Sequence, residues 1–148
     1  MKLRYQQALA AIKAEVARAE RLHPAWPADP WVRLDVLAEE VGEVSRARLD
    51  GSPPRELVAE LSQVGAVAMR WLASLGDGIA DVPIPPAKPM PGALVGALGA
   101  VARVLMGGAS TPGWRVAEYV RTVVAVAASD MCTVEIVDGY GGGPDASP

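Results

Sequence analysis

The fold is decided by two stretches, Leu34-Asp-Val-Leu-Ala-Glu-Glu-Val-Gly-Glu-Val44 and Glu60-Leu-Ser-Gln-Val-Gly-Ala-Val-Ala-Met-Arg-Trp-Leu72. In both, apolar residues recur three or four positions apart, which is the spacing of one face of an α-helix. Between them, Asp50-Gly-Ser-Pro-Pro54 combines a glycine, which commonly ends a helix, with prolines, which commonly begin one. The sequence therefore predicts two helices joined by a short turn, forming a helical hairpin.

The flanking segments extend this hairpin to an all-α bundle of about five helices. An amphipathic helix is expected over the first twenty or so residues, ending before His23-Pro24. Its apolar stripe consists of Tyr5, Leu9, Ile12, Val16 and Ala19. The proline-rich segment 24–31 suits a rigid loop. Residues 92–107 and 113–131 indicate two further helices, and because these are apolar on all sides we expect both to be buried.

Shifts in composition divide the chain into four parts. Residues 1–76 comprise the first helix and the first hairpin, 77–91 a proline-rich linker, 92–132 a second helical hairpin, and 133–148 a short strand or loop followed by a flexible tail. Leu37, Gly42, Val44, Arg46 and Gly51 align with Leu94, Gly99, Val101, Arg103 and Gly108. The second hairpin is therefore either a degenerate repeat of the first that has lost its acidic residues, or a chance similarity between two segments rich in Ala, Val and Gly.

Composition and charge exclude several classes of protein. The net charge of −3 provides no positive field to attract nucleic acid or an anionic membrane. Cys132 and His23 are the only cysteine and histidine, so the chain cannot form an internal disulfide or a Cys/His zinc site. The apolar runs are too short for a signal peptide or a membrane-spanning helix. We therefore expect a cytoplasmic protein that binds neither nucleic acid nor membrane.

Acidic side chains give the first hairpin its chemical interest. Glu40 and Glu43 share one face of their helix, and Glu60 and Gln63 share one face of the next, because residues three apart are neighbours on a helix surface. Carboxylates about 4 Å apart repel by about 4 kcal/mol per pair at an effective dielectric constant of about 20. Such a cluster favours a hard cation such as Mg²⁺. The alternative is an ordinary solvated acidic face.

The two-part pattern Glu40-Val-Gly-Glu43 and Glu60-Leu-Ser-Gln63 resembles the ExxE…ExxD signature of the MazG-like all-α nucleoside triphosphate pyrophosphohydrolases. The similarity extends over residues 26–72. It implies cleavage of a nucleoside triphosphate between the α- and β-phosphates, with Mg²⁺, or Mn²⁺ in its place, held by the acidic residues of this pattern. It further implies a homo-oligomer, either a dimer or a tetramer.

Further residues are candidates for catalysis or substrate binding. Glu39 is the candidate catalytic base, with a plain surface glutamate as its alternative. Trp26 and Trp31 are candidates for stacking on a base, with closure over the core as the alternative, and Arg70 is a candidate for binding phosphate oxygens. Gln63 stands where the family pattern has aspartate. A neutral amide supplies a carbonyl oxygen but no charge, which leaves a second metal ion and full activity open.

A protein of a different class is also compatible with the sequence. In this alternative the chain is a catalytically inactive helical interaction or regulatory protein, and Gln63 marks a decayed site. A third possibility is hydrolysis of some other phosphorylated compound at the same metal site. A test of pyrophosphate release distinguishes these hypotheses.

Overall fold

The computed structural model describes residues 1–76, 83–90, 92–108 and 111–136, and within these ranges the regular secondary structure is entirely α-helical, without strands. The helices are α1 (Tyr5–Leu22), α2 (Pro30–Leu49), α3 (Pro54–Ala73), α4 (Ala93–Met106) and α5 (Gly113–Met131). The predicted all-α fold of about five helices is confirmed. None of the described helices combines the length and apolar character needed to cross a bilayer.

Local sequence signals define the first hairpin. Asp29 caps the start of α2, because its Oδ1 accepts a hydrogen bond from the backbone N–H of Trp31 at 2.8 Å. Proline occupies the first position of both α2 and α3, where a missing N–H costs no helical hydrogen bond. The turn between them contains Gly51, whose positive φ of 65° favours glycine. As a result α2 and α3 lie side by side along their lengths.

Helix α3 lies at the centre of the bundle, in contact with α1, α2 and α5. Its buried face includes Leu61, Val64, Ala68 and Trp71, the stripe expected from its periodicity. Helix α5 is buried continuously over residues 123–131, but Trp114 in its first turn is 65% exposed, so the predicted burial on all sides is confirmed for its second half alone. The bundle core is thus built mainly around α3 and α5.

The expectation that α4 is buried on all sides is wrong. Only Leu94, Ala97 and Val101 are buried in this helix, and Val95 is 57% exposed. The reason is that α4 packs against α2 and α5 alone, so its remaining surface faces away from the bundle. An apolar composition therefore does not define the environment of this helix.

The second hairpin packs directly on the first. Helix α5 contacts α3 and α4 contacts α2, while α1 covers α3 and α5 from the other side. An ion pair between Arg48 Nη2 and Asp130 Oδ2, at 2.8 Å, joins the end of α2 to the end of α5. The second hairpin supports the first within the same chain, and its origin as a repeat remains a prediction.

The segments outside the helices are tied to the bundle where the structure describes them. In the proline-rich linker, residues 83–90 are irregular, and the carbonyl oxygens of Ile84 and Pro85 each accept a hydrogen bond from Tyr5 Oη at 3.1 Å. Residues 133–136 are also irregular, and Ile136 N–H donates to the carbonyl oxygen of Met1 at 2.9 Å. The rest of the linker, 77–82 and 91, and the predicted tail, 137–148, lie outside the described residues.

The close contact between α1 and α3 gives a stability prediction. A Cβ added at Gly65 would lie 2.5 Å from Cδ1 and 2.7 Å from Cγ1 of Ile12, which is fully buried. We therefore expect Gly65→Ala to lower the free energy of unfolding by about 1 to 3 kcal/mol, as overpacking in a filled core does. Urea unfolding monitored by circular dichroism measures this change.

Two variants control for the helix propensity of alanine. Gly42→Ala adds a Cβ that meets nothing within 4 Å, so it should stabilise the protein by up to about 1 kcal/mol. In an Ile12→Ala background the clashing atoms are gone, so Gly65→Ala should then cost nothing. An equal loss from Gly65→Ala in both backgrounds would contradict the close packing of these helices.

Candidate metal centre

Three carboxylates from α2 and α3 converge on one point of the first hairpin. Glu40, Glu43 and Glu60 each offer one oxygen atom, and these oxygens all lie within 4.8 Å of one another. Glu40 and Glu43 are one helical turn apart on α2, and the tight turn between the helices brings Glu60 beside them on α3. Glu40 and Glu60 are partly buried, whereas Glu43 is exposed. The structure thus brings three of the four predicted ligands together.

The fourth predicted ligand, Gln63, faces the same group of residues through its amide nitrogen. Its Nε2 donates a hydrogen bond to Glu60 Oε2 at 2.9 Å. This contact holds one oxygen of Glu60 in place but adds no negative charge. Gln63 therefore positions a carboxylate of the cluster in this conformation.

Burial and mutual repulsion make Glu40 a weak acid. Desolvation, and after it the negative charges of Glu43, Glu60, Glu39 and Glu15 in that order, together raise the pKa of Glu40 to about 7. Its Oε2 atom is buried and has no hydrogen-bond partner among the described residues. A buried carboxylate oxygen without a partner is unfavourable unless a proton or a cation satisfies it.

The second partly buried carboxylate is perturbed in the same direction. The pKa of Glu60 is raised mainly by burial. The negative charges of Glu43 and Glu56, and then a hydrogen bond with the Glu43 carboxyl group, raise it by smaller amounts. Hard oxygen donors in a cluster of this kind suit Mg²⁺ or Mn²⁺. The unsatisfied Glu40 oxygen and the donor set therefore both fit a divalent cation.

The candidate base lies beside this cluster without belonging to it. Glu39 is exposed on α2, and its charge is one of those that raise the pKa of its neighbour Glu40. It is not one of the three residues whose oxygens converge. Glu39 therefore contacts solvent rather than the converging oxygens.

A cavity of about 340 Å³ adjoins the carboxylate cluster. Glu40 and Gln63 line it, and so do two of the predicted substrate-binding residues, Trp26 from the proline-rich loop and Arg70 from α3. Arg70 Cζ lies 4.6 Å from the centroid of the Trp26 ring, which is a cation–π contact. Arg70 Nη2 also donates to the carbonyl oxygen of His23 at 2.7 Å. These contacts fix the two side chains as one wall of the cavity.

The second aromatic candidate, Trp31, lies elsewhere. Trp31 lines a separate cavity of about 520 Å³, together with Trp71 and Met106, and is 45% exposed. Its backbone N–H is used in the cap of α2. Trp26 and Trp31 therefore line different cavities, and of the two only Trp26 is placed beside the carboxylates.

Two cavity residues on α1 were missed from the sequence. Glu15 and Arg18 line the cavity opposite Glu40 and form an ion pair, with Arg18 Nη2 2.6 Å from Glu15 Oε1. The signal was present, because Glu15 lies three residues after Ile12 and four before Ala19, along the edge of the apolar stripe. The periodicity of α1 does not show which other helix the edge containing Glu15 lies beside.

Comparisons with known proteins assign the chain to no family. The chain matches no protein-family model, no curated protein and no solved structure. The resemblance of its acidic pattern to the MazG-like enzymes therefore remains a prediction. Any function has to be inferred from the carboxylate cluster and the cavity beside it.

The perturbed carboxyl group gives a prediction about pH. We expect the protein without divalent ions to lose about 1 to 2 kcal/mol of stability as the pH rises from about 5 to 8, after allowing for the partial exposure of Glu40. Folding raises the pKa of Glu40 from 4.5 to about 7, so the folded protein holds this proton more tightly than the unfolded chain. The resulting stabilisation is complete at a pH below the unfolded-state pKa of 4.5, and it is lost as the pH rises through the folded-state pKa of about 7. Urea unfolding in EDTA across this range measures it.

The matched control is Glu40→Gln, which cannot ionise. Its stability should vary less over the same pH range, and it should exceed that of the wild type at pH about 8. Adding Mg²⁺ should stabilise the wild type at high pH, since the ion then takes the place of the proton. An unchanged pH dependence in Glu40→Gln would contradict the assignment of this effect to Glu40.

Proposed function

We propose that the protein is an Mg²⁺-dependent nucleoside triphosphate pyrophosphohydrolase, which cleaves a ribo- or deoxyribonucleoside triphosphate to the monophosphate and pyrophosphate. One observation carries this proposal: oxygens of Glu40, Glu43 and Glu60 lie within 4.8 Å of one another beside a cavity of about 340 Å³. Small-molecule sites commonly have volumes of about 300 to 1,000 Å³. The cavity is thus large enough for part of a nucleotide.

The cation is held by Glu40, Glu43 and Glu60, with Mn²⁺ able to replace Mg²⁺. When bound, such an ion offsets the negative charge of the phosphate oxygens and lowers the pKa of an attacking water. Gln63 keeps Glu60 in position through its hydrogen bond. Gln63 contributes no negative charge where the family pattern has aspartate, and this favours one ion at the site rather than two.

The remaining site residues have distinct roles in this proposal. Glu39, exposed beside Glu40, accepts the proton of the attacking water at a carboxylate oxygen and passes it to solvent. Trp26 offers an aromatic wall for the base, and Arg70, stacked on Trp26, directs its free N–H groups to a phosphate oxygen. Trp31 has no role, because it lines another cavity.

We further propose a cytoplasmic homo-oligomer, either a dimer or a tetramer. Several large apolar side chains are more than 40% exposed, including Trp31, Val32, Leu49, Met106 and Trp114. Exposed apolar surface of this kind is typical of contacts between subunits. Sedimentation velocity at several concentrations determines the assembly state.

The function is tested with the purified full chain and a panel of ribo- and deoxyribonucleoside triphosphates in Mg²⁺, Mn²⁺ or EDTA. The proposal predicts one pyrophosphate per monophosphate formed, with no release in EDTA. Release of orthophosphate instead would contradict cleavage between the α- and β-phosphates. Absence of pyrophosphate from every nucleotide would favour the inactive interaction protein, whereas turnover of other phosphorylated compounds would indicate a different substrate for the same site.

A further inference from the structure

We propose that the second hairpin carries a separate binding site for the phosphate group of a small molecule, formed by Arg103, Arg115 and Tyr119. These three side chains line a cavity of about 360 Å³ between the end of α4 and the start of α5. This cavity shares no lining residue with the one beside the carboxylates. The proposal therefore stands independently of the hydrolase function.

The two helices arrange these groups around one cavity. Arg115 and Tyr119 are one turn apart on α5 and so share a face, while Arg103 comes from α4. Arg103 is folded back along its own helix, with Nη1 3.6 Å from the position that a Cβ of Gly99 would occupy. Thr111 also lines the cavity, and its Oγ1 donates to the carbonyl oxygen of Val104 at 3.2 Å.

Charge in this cavity is unbalanced. No acidic side chain is among its described lining residues. Across the described part of the chain, the guanidinium groups of Arg103 and Arg115 and the hydroxyl of Tyr119 make no hydrogen bond or ion pair with protein atoms. Arg18 and Arg48, by contrast, each pair with a carboxylate. Two guanidinium groups in one cavity repel each other, and an anion between them removes that cost.

The start of α5 adds further positive potential. Pro112, its N-cap, offers no side-chain acceptor; Arg115 N–H donates to the carbonyl oxygen of Pro112 at 2.9 Å, whereas the N–H groups of Gly113 and Trp114 have no partner among the described residues. Pro112 and Arg115 both line the cavity, which places the positive end of the helix dipole beside it. Guanidinium groups, a phenol hydroxyl and a helix N-terminus are all donors to phosphate oxygens.

The shape of the cavity narrows the class of ligand. A volume of about 360 Å³ exceeds what a single phosphate fills and lies at the lower end of the range for small-molecule sites, about 300 to 1,000 Å³. Ala100 and Gly107 on its wall leave room for a body attached to the phosphate. The ligand expected is a small phosphate ester or diphosphate, bound by two arginines without a metal ion.

The test is isothermal titration calorimetry of the full chain with inorganic pyrophosphate in EDTA, where the carboxylate cluster holds no cation and repels anions. The proposal predicts saturable binding that is weakened by at least about tenfold in Arg103→Gln and in Arg115→Gln, the loss expected for one charged hydrogen-bonding partner. Glucose 6-phosphate is the second probe, for a ligand with a body. Both arginines are exposed, so thermal melting should show that these variants remain folded.

A matched control identifies the site of binding. Arg21→Gln removes the same charge from an exposed position on α1 that lines neither cavity. It should bind pyrophosphate within about twofold of the wild type. Absence of saturable binding, or equal affinity in the arginine variants, would overturn the proposal. So would Arg103-dependent binding to vesicles containing phosphatidic acid without binding of either soluble probe, since that result would assign the arginines to a lipid surface.

Discussion

Glu60→Gln will reduce the rate of pyrophosphate release by at least about 100-fold, because loss of a group that only orients a metal ligand already costs about 10- to 100-fold. Glu60 is the only one of the three converging carboxylates contributed by α3. Its amide replacement keeps the size of the side chain but removes a full negative charge from the cation site. Initial rates at saturating nucleotide, measured over a range of Mg²⁺ concentrations, quantify the loss.

The loss of activity expected for Glu60→Gln can be distinguished from a loss of folding. Burial and like charges raise the pKa of Glu60, so neutralising this carboxyl group should leave the stability of the ion-free protein unchanged or improve it. Glu118→Gln is the matched control, since Glu118 is also a helical glutamate but is exposed on α5 and is not one of the three converging carboxylates. It should retain the wild-type rate within about twofold. Full activity of Glu60→Gln would contradict the assigned site.

The largest loss of stability is expected at Trp71. Trp71→Ala should lower the free energy of unfolding by about 3 to 5 kcal/mol, as removal of a large buried aromatic side chain does. Trp71 is fully buried on α3, within the core that joins the two hairpins. Guanidinium unfolding followed by circular dichroism measures this loss.

Phenylalanine at the same position distinguishes lost packing from lost hydrogen bonding. The Trp71 indole Nε1 is buried and has no hydrogen-bond partner among the described residues. Trp71→Phe therefore loses no hydrogen bond and should cost about 1 to 2 kcal/mol, well under half the effect of alanine. Equal losses for the two variants would show that the volume of the indole does not determine stability here.

The sequence predicted the first hairpin because its signals are local and agree with one another. The apolar stripe that includes Leu61 and Trp71, together with the turn at Gly51, sets both the helices and their antiparallel pairing. Once the pairing is known, Glu40 and Glu60 must lie on adjoining faces. This is why the convergence of the carboxylates could be anticipated without knowledge of the remaining helices.

The features that were missed depend on the packing between distant segments. Periodicity shows that Glu15 borders an apolar stripe but not that the stripe docks beside Glu40. Trp26 lies in the proline-rich loop and Trp31 in the first turn of α2, where no repeating pattern indicates which cavity each ring lines. The predicted burial of α4 was wrong for a related reason. The exposure of Val95 depends on how many helices pack against α4, which its apolar composition does not show.

The most direct test is titration of the full chain with Mn²⁺. Electron paramagnetic resonance monitors binding, because the signal of the free ion decreases as the ion binds. We expect one saturable site, displaced by Mg²⁺, with affinity that rises with pH through about 7 as Glu40 loses its proton. Glu40→Gln, Glu43→Gln and Glu60→Gln should each weaken binding by at least about tenfold. No saturable binding by the wild type, or unchanged affinity in all three variants, would contradict a divalent cation site in this hairpin.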